Sequence, residues 1–225
     1  MPTALDNPMW QSLTTTQRDI ALGDDAALRF HPDVAPFVAI EHDTTSARAA
    51  ALALVRPGEE VYFVGVGPAD LDGWTLLHRD SIVQMHWDGR TRIDVNRSGI
   101  VQLGAADAED MLALTQQVFP GYFRRRTIEL GHYVGVRSVS ELIAMAGERL
   151  KSTGYCEVSG VCTRPEFAGQ GLAASLSMVV TLGIAARGDK PYLHAGSGNA
   201  RARALYERLG FEVRLELPLW HVRRN

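Results

Sequence analysis

The stretch VSGVCTRPEFAGQGLAASLSMVV, Val158 to Val180, joins a β-type run to a long apolar helix through a polar loop that carries Gly169-Gln170-Gly171. Glycine at such a junction lets the backbone take angles that other residues resist, and lets a ligand approach bare N–H groups. The first turn of a helix adds unpaired amide donors and a partial positive charge. Together these serve anion binding, of phosphate above all. The plainer use of the same glycines is a tight turn.

Two familiar phosphate loops fit poorly. A P-loop needs Gly-Lys-Ser/Thr, which this loop lacks. Residues 169–174, GQGLAA, do match the dinucleotide pattern G-x-G-x-x-G/A. Against that reading, residues 164–168 separate the strand from the first glycine, Asp189 precedes rather than closes the next strand at 191–195, and little chain is left for further parallel strands. Cys162 lacks the His-and-acid companions of a thiol nucleophile. Cys156 would sit on the order of 20 Å away along the same strand, at about 3.3 Å per residue, too far for a disulfide. Neither cysteine has His or Asp at ligand spacing, so no metal site is expected.

The surrounding chain must hold this loop in place. Its 225 residues are 46% hydrophobic and 22% charged, in the range of a globular protein with a sizeable core. A net charge of −3 gives no strong attraction to nucleic acid or an anionic membrane. No apolar run approaches the roughly 20 residues of a bilayer span. The start, MPTALDNPMWQSLTTTQRD, lacks the basic-then-apolar pattern of a signal peptide, so a cytoplasmic setting is expected. The polar stretch at 87–99, WDGRTRIDVNRSG, reads as a seam. Before it, a helix is expected over about 7–20 and another over 45–55, capped by Thr44 or Thr45, with strands at 27–30, 60–66 and 81–86. After it come a strand at 100–103, a helix at 106–118, a hairpin at 133–137 and 141–150, and the strand 155–163. A helix at 172–186, a strand at 191–195, a helix at 199–209 capped by Asn199, and a final strand pair at 211–217 and 219–223 complete the pattern. This is an α/β (α+β) order with a mixed sheet and helices on both faces, and a smaller N-terminal α/β lobe over 1–95 that acts as packing or as a substrate-side wall.

The segment 168–173, AGQGLA, and the segment 199–211, NARARALYERLGF, together resemble the GNAT N-acetyltransferase superfamily. The glycine segment is similar to the family's Gln/Arg-x-x-Gly-x-Gly/Ala loop, which receives the coenzyme A pyrophosphate. Ala168 departs from it, which loses one side-chain contact but no backbone donor; Arg164 or Arg201 is the candidate replacement charge. The segment at 199–211 resembles Asn-x-x-Ala-x-x-Leu/Phe-Tyr-x-x-x-Gly-Phe and is far more specific than the glycines. The resemblance covers about 99–225 and is strongest over 158–211. With ELIAMAGERL and GVCTRP it is similar to the branch that includes glycine N-acyltransferase, in which residues 1–95 would be a degenerate GNAT-like half.

The resemblance implies a mostly antiparallel sheet with a splayed central strand pair at 155–163 and 191–195, and a catalytic domain over 96–225. It implies acetyl-CoA as cosubstrate, with Val161, Cys162, Thr163, Ala168, Gly169, Gln170, Gly171, Leu172, Ala173 and Asn199 along the coenzyme, and an N–H near Val161 or Cys162 polarising the thioester carbonyl. An amine, mostly protonated near pH 7, must lose a proton before it attacks. Glu157, on the same side of its strand as Val161 by parity unless a bulge intervenes, is the expected base, with Glu148, Glu129, His132 and His194 as rivals. Tyr206 is the expected acid that protonates the departing sulfur. The expected partner is a small-molecule or amino-acid-like amine, with a homodimer open as an assembly; a non-catalytic coenzyme-A-sensing or partner-binding module is the alternative.

Overall fold

The computed structural model describes residues 4–91 and 95–225; residues 92–94, within the expected seam, lie outside the described residues. In chain order the elements are α1 (Pro8–Thr14), β1 (Ala21–Gly23), β2 (Leu28–Phe30), β3 (Val38–Ala39), α2 (Thr45–Leu54), β4 (Glu60–Val64), β5 (Trp74–Trp87), β6 (Ile100–Leu103), α3 (Ala108–Val118), β7 (Tyr133–Ser138), β8 (Glu141–Ser152), β9 (Tyr155–Thr163), α4 (Leu172–Ala186), β10 (Lys190–Gly196), α5 (Ala200–Arg208) and β11 (Phe211–Arg224). Capping chemistry sets several boundaries. Thr44 accepts from the Ala47 amide at 3.1 Å and Asn199 from the Ala202 amide at 3.0 Å, each satisfying a donor that the helix itself leaves unpaired.

Eight strands form one sheet in the order β4-β11-β5-β10-β9-β8-β7-β6, and β1-β2-β3 form a small second sheet. In the large sheet only β9 and β10 run parallel. The connection between β5 and β6 carries the seam, and the chain on both sides of it supplies strands to the same sheet: β5 lies between β10 and β11. The end of the chain is one long strand, not the expected pair. β11 continues through Pro218, which lies opposite Ser81, and its pairing absorbs irregularities at Val213/Leu215 and His221/Val222. β4 joins the other edge only from Leu219 onward, and the Gly65 amide bonds the Pro218 carbonyl at 2.9 Å.

The sheet separates two cores. On one face Val158, Leu193 and Ala195 pack with Leu176 and Val180 of α4 and Tyr206 of α5. On the other, Tyr192 and Leu150 pack with Phe37, Tyr62 and Leu13 from the first part of the chain. A bulge matters here. Between the pairs Gly147↔Ser159 and Met145↔Cys162, β9 carries one residue more than β8, and Gly160 takes φ +64. Val161 is therefore turned to the α4/α5 face, whereas Glu157 lies on the opposite one. The shared side expected from parity does not survive the bulge.

Candidate active site

The parallel pairing of β9 with β10 begins at Tyr155↔Lys190 and ends at Val158↔Leu193. Beyond that rung β9 stays bonded to β8, and β10 to β5 as far as Gly196↔Ile82. Residues 159–163 and 194–196 thus present facing strand edges that do not pair with one another. The Arg164 amide bonds the Ile143 carbonyl of β8 at 2.8 Å. Two residues back along the same ladder the Cys162 amide faces β8 as well, which leaves the Val161 amide directed into the gap.

On the α4/α5 face the gap opens into a cavity of about 540 Å³, lined by Val161, Cys162, Thr163, Ala168, Gly169, Gly171, Leu172, Ala173 and Asn199 among others. Of the expected coenzyme residues, Gln170 alone is off this wall; it is exposed, between two glycines with positive φ. Gly171 caps α4 at φ 78, in the left-handed region, with no side-chain cap. A Cβ there would meet no heavy atom of the chain within 4 Å, so the glycine serves backbone angle and ligand access rather than internal packing. The first backbone bond of α4 runs from the Ser175 amide to the Gly171 carbonyl at 3.0 Å, which leaves the amides before it as donors for an anion. Arg201 and Arg208 also line this wall. Arg164 instead bonds the Leu142 carbonyl at 3.1 Å and pairs with Glu141 at 3.4 Å, so Arg201, joined by Arg208, is the better-placed cation. The buried Thr163 hydroxyl has no partner among the described residues. Burial pushes the Cys162 thiol up to about 12, which suits a wall and not a nucleophile.

A further cavity, of about 360 Å³, meets this one at the gap. Val161, Asn199, Ala202 and Tyr206 line both. The smaller cavity also reaches residues of the opposite face, including Phe37, Tyr122, Arg149 and His194, so the space passes through the sheet between β9 and β10. Tyr206, only 8% exposed, stands at the junction with its ring edge-on to Phe211. Burial raises its pKa well above the ordinary tyrosine value, which keeps the phenol protonated as a donor.

Glu157 does not line either cavity. Its carboxylate accepts Arg149 Nε at 2.8 Å, Arg149 Nη2 at 2.7 Å, the Leu150 amide at 3.3 Å and His194 Nδ1 at 2.8 Å. Burial alone would raise its pKa, but the Arg149 charge and the hydrogen bonds from Arg149 and His194 outweigh it and hold the group at about 2. A carboxylate so engaged is a poor proton acceptor at neutral pH, which speaks against the base role expected of Glu157. His194 is equally committed. Gln84 uses its oxygen on Arg214 at 2.8 Å, so its NH₂ donates both to the Leu5 carbonyl at 2.9 Å and to His194 Nε2 at 3.0 Å. That network assigns the ring proton to Nδ1. The remaining rivals lie elsewhere: Glu148 is buried against Lys151 and Arg187, and His132 lies with it beside a separate cavity. Glu129 pairs with Arg126 at 2.7 Å.

Sequence reasoning missed Arg149 and Phe37, and placed Tyr122 only within an acceptor-side loop at 119–127. Arg149 reads as an ordinary strand residue, yet it faces Glu157 across a hairpin, a signal the spacing contains. Phe37 comes from a segment far from that loop in the chain and carries no local mark. Among the described residues there is no group of three or more His, Cys, Asp or Glu placed to hold a metal, and no helix long and apolar enough to cross a membrane.

The FR47-like protein family matches residues 133–220. No curated protein matches the chain. A crystal structure from Novosphingobium aromaticivorans DSM 12444, assigned to the GNAT acetyltransferases, is 36% identical over all of both chains, with a TM-score of 0.91. A GCN5-related N-acetyltransferase from Kribbella flavida is 18% identical over 97% of this chain and 93% of its own, with a TM-score of 0.57. A GNAT-family acetyltransferase from Colwellia psychrerythraea is 10% identical over 100% and 98%, with a TM-score of 0.55; these last two bear on the fold alone. A mixed sheet forked at one parallel strand pair, an anion-ready helix mouth beside the fork, and full-length identity above a third lead to one assignment: the chain belongs to the GNAT family of acyl-CoA N-acyltransferases.

Proposed function

We propose that the chain transfers the acetyl group of acetyl-CoA to the primary amine of a small-molecule or amino-acid-like acceptor, by direct attack in a ternary complex. The observation that carries this reading is the meeting of two cavities at Val161 and Tyr206. The coenzyme lies along the α4/α5 face, with its pyrophosphate at the amides near Gly171 and its arm beside the free edge of β9. The acceptor enters from the opposite face through the smaller cavity. The amine lone pair attacks the thioester carbonyl, whose oxygen takes the Val161 amide as donor. As the C–S bond breaks, the Tyr206 phenol gives its proton to the sulfur. The ammonium proton leaves to water, since Glu157 and His194 are both engaged. The loop residues Phe119 and Tyr122 and the N-terminal residues Phe37 and Asp80 shape the acceptor wall. The resemblance of the chain to the branch of glycine N-acyltransferase supports a small acceptor.

Titration calorimetry with coenzyme A, followed by a mass-shift screen of amines with acetyl-CoA, tests the reading. Binding at or below about 1 mM and a gain of one acetyl group on an amine are expected. No heat with coenzyme A at that concentration would overturn it.

A further inference from the structure

The acceptor cavity has one Arg or Lys among its described lining residues, Arg149. Its side chain is 16% exposed, and its guanidinium lies 4.9 Å over the Phe37 ring, which fixes its plane. The Nε and Nη2 edge is spent on Glu157 in a fork-to-fork pair. Nη1 has no hydrogen-bond acceptor among the described residues. Glu157 cannot supply one, because its oxygens already take Arg149, His194 and the Leu150 amide. A guanidinium so held is a rigid donor with one unused NH₂, on a wall it shares with the rings of Phe37 and Tyr122.

We propose that Arg149 is the specificity-determining residue of the acceptor site: its Nη1 receives a carboxylate carried next to the acceptor amine, while an apolar side chain of the acceptor rests against Phe37 and Tyr122. This rests on the acetyl-transfer reading above and deepens it from amines in general to amino acids with a sizeable apolar side chain. Glu157 and His194 act through Arg149, holding its plane. Because Glu157 balances the Arg149 charge, an incoming anion meets a neutral pair, and the gain comes from directed hydrogen bonds more than from net attraction.

Acceptor pairs that differ only in the carboxylate provide the test: phenylalanine against phenethylamine, and leucine against isoamylamine, each with acetyl-CoA. The wild-type kcat/KM is expected to favour the amino acid on the order of 30-fold, the size of a charge-assisted hydrogen bond. In the double variant Arg149→Met/Glu157→Gln, which removes both charges together, that ratio falls to about threefold or less. If the double variant does not fold, Arg149→Lys, which keeps a charge beside Glu157 but replaces the three-nitrogen fork by a single ammonium and so loses the spare NH₂, reads the same ratio. Where neither member of a pair is turned over, calorimetry of the pair in the presence of coenzyme A reads the ratio as binding. A wild-type ratio near one, a ratio untouched by the substitutions, or no binding of the amino acids overturns the assignment of Arg149 alone, provided coenzyme A still binds. Failure of coenzyme A itself to bind removes the acetyl-transfer reading beneath it.

Discussion

Glu157 offers a measurement that its geometry makes quantitative. The unfolded chain carries this carboxyl at its ordinary value of 4.5 and the folded one at about 2. Because the folded value is the lower one, Glu157 contributes stability that is fully present above about pH 5 and is lost as pH falls toward 2, roughly 3 kcal/mol in all. Most of that range is accessible: a loss of up to about 1 kcal/mol is reached by pH 4 and about 2 kcal/mol by pH 3. Other paired carboxyls, Glu59 and Glu148 among them, are also held low and weaken the protein in acid. The reference is therefore the double variant Arg149→Met/Glu157→Gln, which keeps those groups and strands no buried charge. Urea unfolding of both proteins, followed by tryptophan fluorescence at pH 7, 5, 4 and 3, gives the difference directly. The wild type should lose up to about 1 kcal/mol relative to the variant by pH 4 and about 2 kcal/mol by pH 3. A difference that stays constant across this range would place Glu157 in a solvent-like setting and restore it as a candidate base.

Tyr206→Phe should lower kcat on the order of 100-fold with little change in coenzyme A affinity, as loss of a general acid does; undiminished turnover would end that role. With Glu157 and His194 engaged, kcat/KM should climb with pH toward the acceptor amine's own pKa, and a break between pH 4 and 6 would instead point to a carboxylate base. Gly171→Ala meets no clash but must hold φ near 78. It should cost about 1–2 kcal/mol of stability and raise the KM for acetyl-CoA, both absent if the turn is unimportant to the site. Arg201→Ala and Arg208→Ala should each raise that KM a few-fold at low salt, with the effect fading toward about 1 M as screening takes over; a salt-independent effect would remove their electrostatic role.

Local chemistry made the C-terminal half of the chain readable. The spans of α4 and α5, the Asn199 cap and the glycine at the mouth of α4 follow from patterns within a few residues of each other. What escaped depends on residues distant in sequence. β5 enters between β10 and β11 because its pairing partners lie more than a hundred residues away, and no local signal states that order. Pro218 suggested a strand end, but at that position β11 is only then gaining β4 as another partner, and the strand runs on. The Gly160 bulge is one extra residue in an otherwise regular run, and it turned Val161 to the face opposite Glu157.

That displacement changes the meaning of the buried charges. A buried ion pair is a weak source of net stability, because desolvation consumes most of the attraction. Its geometry is directional, however, and here it sits at a decisive place. Glu157 lies on the next-to-last paired rung between β9 and β10, opposite Tyr192, and His194 is the first residue of β10 past the last rung. The bond between their side chains, 2.8 Å long, spans the two strands where they part. Arg149 ties the same carboxylate to β8, and Gln84 ties the same imidazole to β5. Four neighbouring strands are thus fixed at one point, directly below the gap that a coenzyme arm would occupy. A slip of one rung between β8 and β9 would leave Arg149 and Glu157 buried without each other, at a cost of several kcal/mol, and a slip between β9 and β10 would part Glu157 from His194. The network therefore specifies where the sheet must fork, which is the feature the proposed chemistry needs most.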